Sequence, residues 1–243
     1  MSGCLVIIPT YNEIENIEKL VRNVFAQRRK YDVLIVDDNS PDGTGALIKT
    51  LKPEFPHRLH LFEREGKKGL GTAYLAGFEW ALKKDYHYIF QMDADFSHSP
   101  NDLARLYNAC HRHGADLSVG SRYKTGVNVV NWPMGRVLLS YGASKYVRFI
   151  TGMDINDTTA GFVCYKRKVL ETLHLKKIKF VGYAFQIEMK FKAHLLGFTI
   201  EEVPVIFVDR TKGTSKMSQA IISEAVFGVI VMKLKSMFKK IEL

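Results

Sequence analysis

Two aspartates spaced one residue apart close an apolar run in QMDADFSHSP, residues 91–100. In an extended segment residues i and i+2 point to the same side, so Asp93 and Asp95 face together and small Ala94 lets a ligand approach the backbone. Hard oxygen donors of this kind suit a divalent cation, and magnesium takes one or two carboxylates and fills its remaining positions with water and substrate phosphates. The local alternative is a turn followed by a helix, with Ser97 or Ser99 as the cap before Pro100. More acids follow apolar runs elsewhere, Glu13 in PTYNE and Asp37 and Asp38 in VDDNSPDGT. Zinc is disfavoured because the eight histidines form no H-x-x-x-H or H-x-x-E-H spacing, and Cys4, Cys110 and Cys164 are scattered. His98 reads as a supporting residue rather than a ligand. The glycine-rich GKKGLGTAYLAG, residues 66–77, lacks the phosphate-loop spacing and follows the third predicted strand, so it reads as a loop entering a closely packed helix.

The elements that must position these residues alternate in period. Cys4 to Pro9, Val33 to Val36, Leu59 to Phe62 and Tyr86 to Met92 are buried-strand runs. Ile14 to Gln27, Gly43 to Lys52 and Gly71 to Lys84 have helical spacing. This predicts an α/β fold with a mostly parallel central sheet and helices on both faces. Carboxyl ends of parallel strands share one edge, so Glu13, Asp37, Asp38, Asp93 and Asp95 are expected to converge on one crevice. Asn101 to Arg112 reads as a further helix and Asp116 to Val119 as a strand. After residue 121 the alternation breaks. Helices are then expected from Pro133 to Ile150, Tyr183 to Leu196 and Ser218 to Lys240, with strands at Gly161 to Tyr165 and at Ile200 to Val208, where Pro204 marks an edge.

The chain has 243 residues and no linker-like stretch, which predicts one catalytic domain over residues 1–216 and a tail helix over 217–243. A formal net charge of +10 calls for an anionic partner. Nucleic acid is the remote choice, because no basic and aromatic motif is present and the acidic edge would repel a phosphate backbone. The scattered cysteines and the absence of a basic, cleavable leader predict a reducing, cytoplasmic setting. In the tail, the apolar run Ala225 to Met232 is far short of the roughly 20 residues that span a bilayer. Lys233, Lys235, Lys239 and Lys240 follow it. An amphipathic helix on an anionic membrane surface and a helix packed on its own core are both compatible with this pattern.

Seven ordered blocks carry a resemblance over residues 5 to about 216: Pro9 to Glu13, Asp37 to Thr44, Gly69 to Ala73, Asp93 to His98, Gly120 to Tyr123, Phe185 to Glu188, and Phe207 to Arg210 with Ser215 and Lys216. The chain resembles glycosyltransferase family 2, and within it the dolichyl-phosphate (polyprenyl-phosphate) mannosyltransferases. The resemblance implies a GT-A fold and inverting transfer of mannose from GDP-mannose to a polyprenyl phosphate with Mg2+ or Mn2+. It implies that Pro9, Tyr11, Glu13, Val36 and Asp38 surround the nucleoside and that Asp93, Ala94 and Asp95 meet the diphosphate and metal. Arg210 and Lys216 are implied to bind donor phosphates, and Arg122, Arg136 and Ser140 the acceptor phosphate; Asp95, Arg122, Arg210 and Lys216 are then the catalytic set. Arg136 and Ser140 are four apart, hence on one helix face, and guanidinium groups match phosphate oxygens. Gln186 or Glu188 is a candidate for the sugar hydroxyls.

Two departures sharpen the expectation. Relatives that use glucose or arabinose tend to read Asp-Ala-Asp-Leu-Gln, whereas this chain has Phe96 and Ser97, which favours mannose. Neither Trp80 nor Trp132 sits in the Gln-x-x-Arg-Trp motif of processive synthases, so transfer of a single sugar is expected. The nearer alternative is a UDP-glucose-dependent polyprenyl-phosphate glucosyltransferase. Many relatives add transmembrane helices after this point. The tail, or a partner membrane protein, would here bring the enzyme to the cytoplasmic face of a membrane.

Overall fold

The computed structural model describes residues 3–209 and 219–238, without the side chains of residues 183 and 219–225. The sheet is built first from β1 (Cys4–Thr10), β2 (Asp32–Asp37), β3 (Leu59–Glu63) and β4 (Tyr88–Gln91). These four run parallel in the order β3-β2-β1-β4. Their central positions are almost all apolar because both faces are covered, and polar residues such as Asp32, Asp37, Glu63 and Gln91 sit at strand ends. Along β1, Val6 and Ile8 enter a core shared with α1 (Ile17–Phe25), α2 (Thr44–Leu51) and α4 (Leu103–His111). Leu5 and Ile7 enter the opposite core, under α3 (Leu70–Leu82), α6 (Arg167–Thr172) and α7 (Tyr183–Leu195).

Beyond β4 the order continues with β7 (Val163–Lys166), β5 (Leu117–Ser121) and β8 (Ile200–Pro204). The inserted β7 is antiparallel to both its neighbours, while β8 lies parallel to β5 at the edge. Strand periodicity carries no direction, so the reversal at β7 was invisible to pattern reading. The predicted strand over Ile200 to Val208 divides at Pro204. Its second part, β9 (Phe207–Val208), pairs with β6 (Val129–Val130) in a separate two-stranded ribbon.

Helix boundaries follow local chemistry. Ser99 accepts a hydrogen bond from the Asn101 amide and opens a 3-10 turn over Pro100–Asp102 that leads into α4, so of the two candidate caps Ser99 is the one used. The helix expected after Pro133 is α5 (Met134–Thr151), ended by Gly152 at φ 77. The tail forms α8 (Gln219–Met237). A third core joins Val147 of α5, Ile187 and Phe191 of α7 and Val229 and Met232 of α8. Among the described residues no helix is long and apolar enough to cross a membrane.

Helix α3 lies unusually close to the sheet because Gly77 faces β1. A Cβ there would stand 2.7 Å from Ile7 Cγ2 and 3.4 Å from Val36 Cγ2. Gly77→Ala gains helix propensity but overpacks a rigid strand, so it should lower unfolding free energy by about 1–3 kcal/mol in urea titrations.

Candidate active site

The strand order makes the site. The chain moves outward from β1 to β2 and β3, then returns to the other flank of β1 as β4, so the segments leaving β1 and β4 splay apart at a topological switch point. A cleft of about 780 Å³ opens there. Its lining includes Pro9, Tyr11, Glu13 and Asp38 from the ends of β1 and β2, Asp93, Ala94 and Asp95 from beyond β4, Arg122 from beyond β5, and Arg136 and Ser140 from α5. Lys67 and Gly69 at the start of α3 also line it. Val36 lies elsewhere, with its side chain in the core beneath α3.

The corner at the ends of β1 and β2 is braced by two aspartates with opposite tasks. Asp37 accepts from the Thr10 hydroxyl at 2.7 Å and the Ser40 amide at 2.9 Å, closing the turn after β2 and tying it to the end of β1. Asp38 pairs instead with Arg64 at 3.2 Å, although neither its Oδ1 nor Arg64 Nη1 forms a well-directed hydrogen bond. Burial pushes the Asp38 carboxyl up, Asp37 adds to this and Arg64 opposes it. Such an under-satisfied acceptor suits a ligand that brings N–H donors, as a nucleobase does. Tyr11 completes this corner, with Lys67 Nζ 4.9 Å from the centre of its ring.

The aspartate pair is positioned by a turn rather than by a strand. Strand β4 ends at Gln91, and Phe96 takes a left-handed conformation at φ 62. Asp95 Oδ1 accepts from the Ser97 amide at 3.1 Å and from the Ser97 hydroxyl, which fixes the carboxylate inside the turn. Asp93 Oδ1 accepts from the Tyr74 hydroxyl at 3.1 Å, and burial together with the Asp93 charge keeps that phenol protonated. The Asp93 amide donates to His98 Nδ1 at 3.1 Å, so His98 supports the turn while stacking on Phe162 at 4.8 Å. Among the described residues no cluster of three or more acids, histidines or cysteines could cage a metal by itself. Two carboxylates on the wall of an open cleft fit a magnesium-like or manganese-like ion that completes its shell with water and a diphosphate.

The other wall is cationic and aromatic. Arg122 forks onto Asp157 at 2.7 and 2.6 Å, reaches Thr159 at 2.9 Å, and donates its own amide to Asp157 at 2.9 Å. Arg136 donates from Nη1 to both oxygens of Asp209 at 2.9 Å and lies 4.1 Å from the centre of Trp132. Ser140 accepts from the Tyr123 hydroxyl at 2.8 Å.

The family profile for glycosyl transferase family 2 matches residues 5–173. The chain belongs to glycosyltransferase family 2. It is 48% identical over 225 residues to a polyprenol monophosphomannose synthase of Mycolicibacterium smegmatis, covering 93% of this chain and 84% of that one. It is 44% identical over 225 residues to an undecaprenyl-phosphate mannosyltransferase of Micrococcus luteus, covering 93% and 91%. Among solved structures it is similar to a Pyrobaculum calidifontis mannosyltransferase in complex with GDP-Man and Mn2+, with a TM-score of 0.61, 18% identity and 98% of this chain covered. The chain spans 64% of that protein's length. A Mycobacterium tuberculosis glucosyl-3-phosphoglycerate synthase complexed with Mn2+, UDP and glucosyl-3-phosphoglycerate aligns with a TM-score of 0.64, 16% identity and coverage of 96% and 78%. The fold is GT-A, as the resemblance implied.

Within this family 2 chain, Arg210 and Lys216 lie outside the described residues. Glu188 is buried away from the cleft lining. It accepts from the Lys179 and Phe180 amides at 2.9 and 3.0 Å and pairs with Lys192 at 3.2 Å, which holds the segment that carries Val181 and Gly182 into the cleft. Gln186 does line the cleft, and both of its amide atoms are buried without a hydrogen-bond partner. Lys67, one of two lysines in the glycine-rich stretch that could attract phosphates, does line the cleft; pattern reading missed Asp157, Lys190 and Asp209, whose partners Arg122, Thr158 and Arg136 are far away in sequence.

Lys190 is the least expected. Fully buried, it donates to the carbonyls of Thr158, Ala160 and Gln186 at 3.2, 2.6 and 3.2 Å, tying α7 to the loop that forms the cleft floor. Burial pushes its pKa down to about 7, with Asp157 opposing. An unfolded lysine holds its proton to about 10.5, so between about 7 and 10.5 the unfolded state binds more protons and this site makes stability rise with pH; below about 7 its effect levels off. Lys190→Met should flatten that rise by up to about 1.4 kcal/mol per pH unit, as read from urea unfolding between about pH 7.5 and 9.5.

Proposed function

We propose that the chain transfers mannose from GDP-mannose to a polyprenyl phosphate, with inversion at the anomeric carbon. The observation that carries this reading is one continuous cleft whose first wall holds Tyr11 and Asp38 beside two carboxylates, while its second wall offers Arg122 together with Arg136 and Ser140 from α5. Both curated relatives named above are polyprenyl-phosphate mannose enzymes by name, which supports mannose over glucose.

Tyr11 and Asp38 would hold the nucleoside, with Lys67 close enough to meet phosphate oxygens. Asp93 and Asp95 would hold a Mg2+ or Mn2+ ion, which when bound neutralises charge on the departing nucleoside diphosphate. Arg136 and Ser140 would orient the acceptor phosphate from one face of α5, with Arg122 beneath them. No general base is required, because a phosphate monoester with a second pKa near about 6 is already largely dianionic at neutral pH.

The lipid part of the acceptor has a path. Helices α5 and α8 present Met134, Leu138, Phe149, Phe227, Leu234 and Phe238 to solvent next to the acceptor wall, Phe149 at 85% exposure. An exposed apolar face of this extent, with Lys145, Lys233 and Lys235 nearby in sequence, suits attachment to the surface of an anionic membrane on its cytoplasmic side. Helix α8 has two roles in this reading, because its other side packs Val229 and Met232 into the third core. Deleting it would therefore unfold as well as detach. Replacing Phe227 and Leu234 with serine touches the outer face alone, and should reduce co-sedimentation with anionic vesicles while leaving the thermal midpoint within a few degrees.

The decisive assay supplies GDP-mannose or UDP-glucose, a polyprenyl phosphate and a divalent ion, and identifies the glycolipid by mass. Mannolipid from GDP-mannose alone is expected. Asp95→Asn keeps an oxygen for Ser97 but loses the charge, and should lower divalent-dependent transfer on the order of a hundredfold or more. Undiminished transfer by this variant would remove the ion from Asp95.

A further inference from the structure

Arg136 is already occupied by an anion that belongs to the protein. Its Nη1 donates to both Asp209 oxygens at 2.9 Å, and each side chain of the pair is about a quarter exposed, at 26% and 22%. Asp209 is carried there by backbone: its amide donates to the Val130 carbonyl at 3.0 Å, extending the β6–β9 ladder by one residue. On the opposite strand of chain, Trp132 lies against the Arg136 guanidinium at 4.1 Å and packs edge-on against Phe207 at 5.2 Å. The ribbon thus delivers a carboxylate and an aromatic platform to the same guanidinium.

We propose that Asp209 stands in for the acceptor phosphate on Arg136 and must be displaced when that phosphate binds, so that it sets the threshold of anionic charge an acceptor needs. The inference rests on the reading of Arg136 as a phosphate-binding residue. A partly exposed ion pair is weakly held in water, and a phosphate monoester offers the same guanidinium nearly two charges and three acceptor oxygens. A dianionic monoester wins that exchange; a singly charged diester matches the carboxylate and gains little. Asp209 is therefore a specificity-determining residue that acts through Arg136, without touching the sugar or the departing diphosphate.

The charge is testable apart from the shape. Asp209→Asn leaves an amide oxygen to accept from Arg136 and removes the competing charge, whereas Asp209→Glu retains it. Asp209→Asn should lower the KM for polyprenyl phosphate about two- to fivefold, the range a partly exposed ion pair commands, with kcat and the KM for the sugar nucleotide unchanged. Inorganic phosphate, used as a probe competing with the acceptor, should inhibit this variant more strongly by a similar factor, and a phosphodiester analogue should gain inhibitory power over its effect on the wild-type enzyme. Asp209→Glu should keep the wild-type KM. An unchanged or raised acceptor KM in an Asp209→Asn protein of wild-type thermal midpoint overturns the proposal. Arg136→Ala separates this from the reading beneath it: a raised acceptor KM there, with an unresponsive Asp209→Asn, rejects the stand-in role alone, while an Arg136→Ala enzyme with normal acceptor KM rejects phosphate binding at Arg136 itself.

Discussion

The buried pair between Arg122 and Asp157 is the constraint on which the cationic wall of the cleft depends. Asp157 accepts from the side chain and the amide of Arg122 and donates its own amide to Glu202, so one residue joins the exit of β5, the loop before β7 and strand β8. The Asp157 carboxyl is fully buried; burial alone would push it up, yet Arg122 outweighs this and holds it below the usual carboxylate range. A pair of this kind contributes little net stability compared with apolar packing, but losing one partner strands the other charge at a cost of about 3–5 kcal/mol. What it secures is position. The guanidinium also lies 5.5 Å from Trp132 and 5.5 Å from Phe207, so the aromatic platform under Arg136 is referenced to the same buried anchor.

On the acidic wall the anchoring is lighter and mostly made of short-range turns. Asp37 with Ser40, Asp42 with Thr44, and Asp95 with Ser97 each close a turn within three residues. Asp42 also receives the Ile14 amide at 3.1 Å, linking the segment after β1 to the segment after β2. Carboxylates here shape loops, and only some of them face the ligand space.

That division explains what could be read in advance. The first four strands and their helices announce themselves because a parallel sheet covered on both faces needs unbroken apolar runs, and the acids that follow β1, β2 and β4 share an edge by topology alone. Arg136 and Ser140 fall on one helix face by arithmetic. Asp157, Lys190 and Asp209 gave no such signal: Lys190 looks like any polar residue of an amphipathic helix until the loop of residues 158–160 is laid over it. The turn at Phe96 was likewise hidden, since a left-handed aromatic residue has no signature in composition. The direction of β7 depends on a long connection from α5 that has no periodic pattern at all.

Reversal of β7 has a consequence for how the cleft is assembled. Because it runs against β4 and β5, it enters the sheet at the edge where they leave, and Val163 pairs with Gln91 and Val119 there. The floor of the cleft is thus contributed by residues 159–161, the loop that leads into this incoming strand, and the chain visits it only after α5 has been laid down. The cleft is lined by residues 9–98 on one side of the sequence and by residues from 120 onward on the other, which the proposed function assigns to the sugar nucleotide and the acceptor. The two recognition tasks are written in consecutive, separable stretches of sequence, so either can diverge while the other is kept, and a single reversed strand is the seam between them.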